Sequence, residues 1–196
     1  DGYIDLANDK WKSKILVRSS SNVYNQSLIS AMVIKYGEEE VKKFLKGFIS
    51  NFARKPSGGD RDQIRAVAAG EGDLALVNSY YFLKMKSQDN EKKLANVIEY
   101  FPKDDFMQTH INISGAGIIK NSKNKENAIK FLEFLVSNDA QRIYAEINYE
   151  YPIRKNIELN SFMKKYNNFM QDNINLSEIA KLNKKSIILM DIAGWQ

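Results

Sequence analysis

Two short apolar runs do most to limit what this chain can become. "KILV" at 14–17 and "DLALV" at 73–77 are each long enough for one buried strand, and each gives way at once to a polar and aromatic cluster. The segments between them show helical rather than alternating periodicity. A strand, then helices, then a second strand, with polar loops after each strand, is the pattern of an α/β fold whose parallel-type sheet is flanked by helices. In such sheets ligands sit beyond the carboxyl ends of the strands.

The first strand, Ile15 to Val17, runs into a serine cluster and then "NVYNQS", a helix start with polar caps. The next helix has Leu28, Ile29, Met32, Val33 and Tyr36 on one side and stops at Gly37, a residue free to turn left-handed. A second helix repeats the spacing with Val41, Phe44, Leu45, Phe48, Ile49 and Phe52. "KPSGGD" breaks the chain before a third helix. Asp60 is its expected N-cap, with Gln63 three residues on, Ile64 and Val67 facing inward and Gly70 at the end. Further along, Ile129, Leu132 and Val136, with Phe131 and Leu135 beside them, form a helical apolar face that reads as core.

Composition then excludes several functions. A chain of 196 residues with 43% hydrophobic content suits one or two globular domains with a real core. No apolar run reaches the roughly 18 residues of a membrane span. No basic-then-apolar leader opens the chain either, but a start at Asp1 fits a processed form, a trimmed form or a fragment, so compartment stays open. The lack of cysteine removes disulfides, thiolate metal sites and cysteine nucleophiles. The net charge of +5 comes from lysines scattered among acidic residues, which reads as a solvated surface and not as a nucleic-acid stripe. No nucleophile has an adjacent general base, and "SGAGI" lacks the context of a phosphate-binding loop, so an enzyme is not expected.

The tyrosines remain. In a chain with 10 of them, roughly half of one Tyr-Tyr pair is expected by chance, so the "YY" of "GDLALVNSYYFLK" means little until it is placed. Tyr80 and Tyr81 come after the second strand, and Tyr24 after the first, so three phenols can converge at one sheet edge. Neighbours in an extended strand point to opposite sides, and both phenols can aim at one point only if the chain turns there. Asn78 and Ser79 suit such a strand-to-helix turn. A phenol titrates near pH 10 and stays neutral unless a highly charged cation displaces its proton. Ferric iron fits that demand better than zinc or copper, which favour cysteine and histidine, and His110 is the sole histidine. Calcium and magnesium would call for clustered carboxylates, which neither strand end carries.

At these residues the chain resembles a known family. "RSSSNVYNQSLISAM", "NFARKPSGGDRDQIRAVAAGEGDLALVNSYYF", "INISGAGIIKNSKNKENAIKFLEFLVSNDAQRIYAEINYEYP" and the terminal "DIAGWQ" are similar to the ferric-iron-binding periplasmic proteins of ABC transporters, above all their FutA-type branch. The resemblance runs along essentially the whole chain. It implies the periplasmic binding protein type II fold, two α/β lobes joined by crossing strands, with iron in the cleft. It implies a periplasmic monomer that delivers Fe(3+) to the membrane permease of an ABC transporter, with no catalysis, no nucleic acid and no membrane insertion. Residues 1–109 would be the second lobe, 110–161 a segment contributing to the first lobe, and 162–196 the return to the second lobe and hinge. In that return Phe162, Tyr166, Phe169, Leu176, Ile179 and Trp195 would pack against lobe or hinge. The chain would thus lack most of the first lobe and the ligands it supplies.

By the same resemblance Tyr24, Tyr80 and Tyr81 would bind the metal. Relatives that hold iron with an anion cradle it with polar side chains near the cleft. Here the helix start carries Asp60, whose charge would repel an oxyanion unless it is spent on capping its own helix, so anion-free binding is expected. Asn78, Ser19, Ser20, Ser21 and Asp60 are candidates for holding an anion or for hydrogen-bonding the ligands, beside a plain loop-and-cap role. His110 reads as a hydrogen-bonded structural residue, Tyr149 and Tyr151 as core or hinge packing, and Arg18, Arg61 and Arg65 as cations that either offset phenolate charge or lie on the surface. The alternative is a binding protein of the same fold for an oxyanion, a polyamine or a thiamine-like ligand, which would use helix N-termini, carboxylates or stacked aromatics instead.

Overall fold

Ile15–Leu16 form strand β1 and Leu74–Ala75 form β2, paired in parallel with Ile15 opposite Leu74 and Leu16 opposite Ala75. The computed structural model describes residues 2–89, 92–167 and 169–196. On its other side β1 is bound by the chain at 51–53, where Ala53 N–H donates to the Ile15 carbonyl at 2.8 Å. Ile15 and Leu16 are therefore enclosed on both faces, which is why this run is continuously apolar. Val17 is buried as expected, though the ladder stops one residue before it.

Helix α1, Val23–Tyr36, begins where the Asn22 side chain accepts the N–H groups of Tyr24 and Asn25, two donors that the first turn leaves without a helical partner. It ends at Gly37, whose φ of 83° and ψ of 161° are open to glycine and are not the left-handed helical values. Gly37 also starts α2, Glu38–Ser50, whose first turn carries three glutamates at the positive end of the helix. The buried stripe of α2 is Val41, Phe44, Leu45 and Phe48. Phe52 lies beyond the helix, edge-on to Phe48 and Trp195. The N-terminal turn Tyr3–Ala7 lies so close on α2 that a Cβ at Gly47 would stand 2.6 Å from the Ala7 carbonyl oxygen.

Helix α3 spans Asp60–Ala68 and corrects one expectation. Its N-cap is Gly59, and Asp62, not Asp60, reaches back to the Gly59 N–H at 2.8 Å. Asp60 is the first helical residue, and its carboxylate is drawn to stronger donors at the strand ends. Ile64 is buried as expected, whereas Ala66 takes the inward place read for Val67. Helix α4, Ser79–Ser87, leaves the end of β2.

The later helices are α5 (Lys125–Leu135), α6 (Asn138–Ile143), which runs on into a π-helical turn at Tyr144–Asn148, α7 (Ser161–Tyr166) and α8 (Leu176–Ala193). Helix α8 packs on α1, where Ser30 and Ser186 share a buried hydroxyl contact of 2.8 Å. The main core joins α1, α2 and α8 with Trp195 and Ile179. A second cluster sets Ile64, Phe82 and Leu83 against Ala145 and Met163, with Tyr149, Tyr151, Phe162 and Tyr166 half-buried around them. Phe169 stacks on Phe101 at 4.4 Å between ring centres.

The face of α5 is the second correction. It reads as core, yet no residue of α5 is buried: Ile129, Phe131 and the following Val136 lie between 42% and 59% exposed, and Leu132 and Leu135 are half-buried. Amphipathic periodicity marks a face that needs a partner, and no described residue supplies one that covers it.

Candidate metal centre

The two strand-to-helix junctions bring the phenols together. Tyr24 stands in the first turn of α1, fixed by the Asn22 cap, and Tyr80 and Tyr81 stand in the first turn of α4. Successive residues in a helix are about 100° apart rather than opposite, so the turn after β2 lets both tyrosines face one region. The hydroxyls of Tyr24 and Tyr80 are 3.2 Å apart, and the rings of Tyr80 and Tyr81 lie 4.1 Å apart between centres. All three side chains are partly exposed, so a ligand can reach them. Burial, then the hydrogen bonds to Tyr24 and Tyr81, push the Tyr80 phenol well above the ordinary range, so it is a neutral alcohol at neutral pH.

Cations and polar groups surround the trio. The Arg18 guanidinium lies 5.9 Å from the Tyr24 ring centre, and that of Arg61 lies 5.3 Å from the Tyr81 ring centre. Arg65 instead pairs with Asp62 on the surface at 3.1 Å and does not join the site. Asp60 is buried and accepts from Arg18 and from the Asn78 N–H. Its charge is thus met by the arginine and a backbone donor, where capping of its own helix was the expected use. The Asn78 carboxamide accepts from Asn112 at 3.0 Å. Ser19 and Ser21 bond to each other at 3.0 Å, and the Ser20 carbonyl accepts from Gln26 at 3.1 Å, so the serine cluster is largely occupied in securing the start of α1.

Two features here were not legible in the sequence. The tie between Arg18 and Asp60 is one. The other is where His110 sits: it is hydrogen-bonded as expected, but its partners were not foreseen, its Nε2 lying 2.9 Å from the Ser27 hydroxyl, one turn along α1 from Tyr24, and its backbone N–H donating to the Tyr3 hydroxyl at 3.0 Å. Burial lowers the imidazole to about 4, with Asp172 pulling the other way, and burial raises the Tyr3 phenol to about 12. His110 borders the same small cavity as Tyr24, Asp60 and Asn78. Tyr149 and Tyr151 pack in the second apolar cluster, against which Tyr81 also lies.

The donor set is one of hard oxygens. Among the described residues no group of three or more His, Cys, Asp or Glu side chains is placed to hold a metal ion. A cation at this edge would meet phenolic oxygens first, which suits a hard, highly charged ion.

The family model described as bacterial extracellular solute-binding protein matches residues 2–174. Iron uptake protein A1 of Synechocystis is 43% identical over 99% of this chain and 55% of its own length. The solved structure of a Trichodesmium FutA in complex with iron and citrate ligands superposes with a TM-score of 0.92 at 47% identity, covering 100% of this chain and 63% of that one. The apo ferric ion-binding protein A of Pasteurella haemolytica gives a TM-score of 0.94 at 44% identity, covering 99% of this chain and 61% of that one. The chain therefore spans between about half and two thirds of these relatives' length. Its fold is the α/β fold of type II periplasmic binding proteins.

Proposed function

Because the chain belongs to the bacterial extracellular solute-binding protein family, we propose that it binds ferric iron through the phenolic oxygens of Tyr24, Tyr80 and Tyr81 as part of a periplasmic protein that hands iron to an ABC importer's permease. The observation that carries this reading is the 3.2 Å approach of the Tyr24 and Tyr80 hydroxyls, with Tyr81 alongside, at the carboxyl ends of the parallel strands. Each phenolate supplies one negative charge, so three balance Fe(3+). Arg18 and Arg61 lie over the rings of Tyr24 and Tyr81 and add positive charge at the rim of the site. The protein binds and releases its cargo and catalyses nothing, in keeping with relatives named for iron uptake and iron binding.

The same reading divides the chain into residues 1–109 and 162–196 in one lobe and 110–161 largely in the other. It is supported by the uncovered apolar face of α5, together with the greater length of the relatives, which leaves room for a partner to that face and for further iron donors. Ala145, Tyr149 and Tyr151 then pack across the lobe boundary against Phe82 and Met163. The test is retention of iron: protein loaded with ferric citrate and desalted is assayed for metal, with a variant carrying Tyr→Phe at 24, 80 and 81 in parallel. Retention by the wild type alone is expected, and equal retention by both would sink the phenolate assignment.

A further inference from the structure

Asp60 is a charged side chain only 2% exposed, and neither of its carboxylate oxygens serves its own helix. Oδ1 accepts the Asn78 backbone N–H at 2.9 Å, and Oδ2 accepts from Arg18 Nη1. Each partner is rooted in one of the two junctions that carry the phenols. Asn78 is the N-cap of α4, and its carbonyl accepts the Tyr81 N–H at 3.2 Å, so where Asn78 sits decides where the turn bearing Tyr80 and Tyr81 begins. Arg18 leaves the end of β1, and its carbonyl accepts from Asn25 at 3.1 Å and from Trp195 at 3.0 Å, which locks the chain leading into Tyr24. One carboxylate therefore spans both junctions.

Resting on the iron reading above, we propose that Asp60 is a positioning residue for the metal site: by holding Asn78 and Arg18 together it sets the spacing of Tyr24 from Tyr80 before any metal arrives. Deprotonated phenols repel one another, and three separately mobile side chains must also lose rotamer freedom on a shared ion. A frame that brings the hydroxyls together in advance removes part of that cost from binding. Asp60 touches no metal in this arrangement; it acts through Asn78 and Arg18.

Removing Asp60 alone leaves a part-buried arginine without its carboxylate, which destabilises the protein for reasons unrelated to the phenols. The decisive variant replaces both members of the ion pair with apolar side chains of similar size, Asp60→Leu with Arg18→Met, a change that is often neutral for the pair itself and leaves the Asn78 N–H without its acceptor. Its metal-free geometry is read by ¹⁹F NMR after 3-fluorotyrosine labelling, with resonances assigned through single Tyr→Phe changes. In the wild-type background Tyr24→Phe shifts the Tyr80 resonance, because the two hydroxyls touch; in the folded double variant that response is lost. Retention of iron against citrate falls about 10- to 100-fold, the range seen when groups that orient metal ligands are changed. Asp60→Asn is the gentler second variant. It keeps an acceptor for Asn78 but turns an amide toward Arg18, and intermediate losses in both readouts are expected. A Tyr80 resonance that still answers to Tyr24→Phe in the double variant, or wild-type behaviour of Asp60→Asn in both readouts, overturns the proposal. If the wild type binds no iron, the iron reading fails, while the metal-free fluorine signals still decide whether Asp60 sets the spacing.

Discussion

His110 should make the protein acid-sensitive in a way that a single substitution removes. Its ring is enclosed beside Ser27, and burial lowers it from 6.5 to about 4. Between those values the unfolded chain takes up a proton that the folded chain refuses, so the unfolded state binds more protons and stability falls as pH drops through this window. Once pH is below both values the full gap is lost, roughly 3 kcal/mol at about 1.4 kcal/mol per tenfold change in proton affinity. Urea unfolding of the metal-free wild type and of His110→Gln at pH 7.5, 6, 5 and 4 measures it, because the carboxylates titrate equally in both. His110→Gln should be the less stable at pH 7.5, through loss of the fitted contact with Ser27, and the difference should shrink by up to roughly 3 kcal/mol by pH 4. Parallel profiles for the two proteins would refute the burial argument.

Glu99 works in the opposite sense. Both of its carboxylate oxygens are buried without a hydrogen-bond partner, and burial raises the group to about 8, so the folded chain holds its proton where the unfolded chain has lost it, and stability falls as pH rises from about 4.5 through 8. Thermal melts of Glu99→Gln between pH 6 and 9 should show that decline flattened; an unchanged slope would contradict it. Tyr80→Phe or Tyr81→Phe should weaken ferric binding and shift or bleach its visible absorption while costing only about 1 kcal/mol of fold stability, since one hydroxyl is removed. Tyr36→Phe, which loses a 2.6 Å bond to Asp104, should leave that absorption alone, as should Tyr149→Phe. Leu45→Ala, at a fully buried position between α1, α2 and α8, should cost about 2–5 kcal/mol in denaturant unfolding, and a loss below about 1 kcal/mol would mean that this core is not continuous.

How much of this was legible in the sequence depends on the range of the forces involved. Helices α1, α2 and α3 announce themselves because burying one face imposes a 3.6-residue spacing on Leu28, Met32, Val41, Phe44 and Ile64. The meeting of Tyr24 with Tyr80 was likewise open to inference, since a parallel sheet gathers the loops at the carboxyl ends of its strands along one edge. The cap of α3 differs from its local reading for a physical reason. Local chemistry favours aspartate at an N-cap, but a guanidinium 42 residues away and the Asn78 N–H compete for the same carboxylate and win. The Ser27–His110 contact joins residues 83 apart and leaves no local pattern to detect. For α5 the periodicity is real, but it specifies an apolar face without specifying what covers it.

The most direct test of iron binding by the three phenols is a titration of the wild-type protein with ferric citrate, monitored by visible spectroscopy. Phenolate bound to ferric iron has an intense charge-transfer absorption, so the protein should turn coloured in proportion to the iron it retains. A protein that stays colourless and holds no metal on elemental analysis would contradict the assignment of Tyr24, Tyr80 and Tyr81 as ferric ligands.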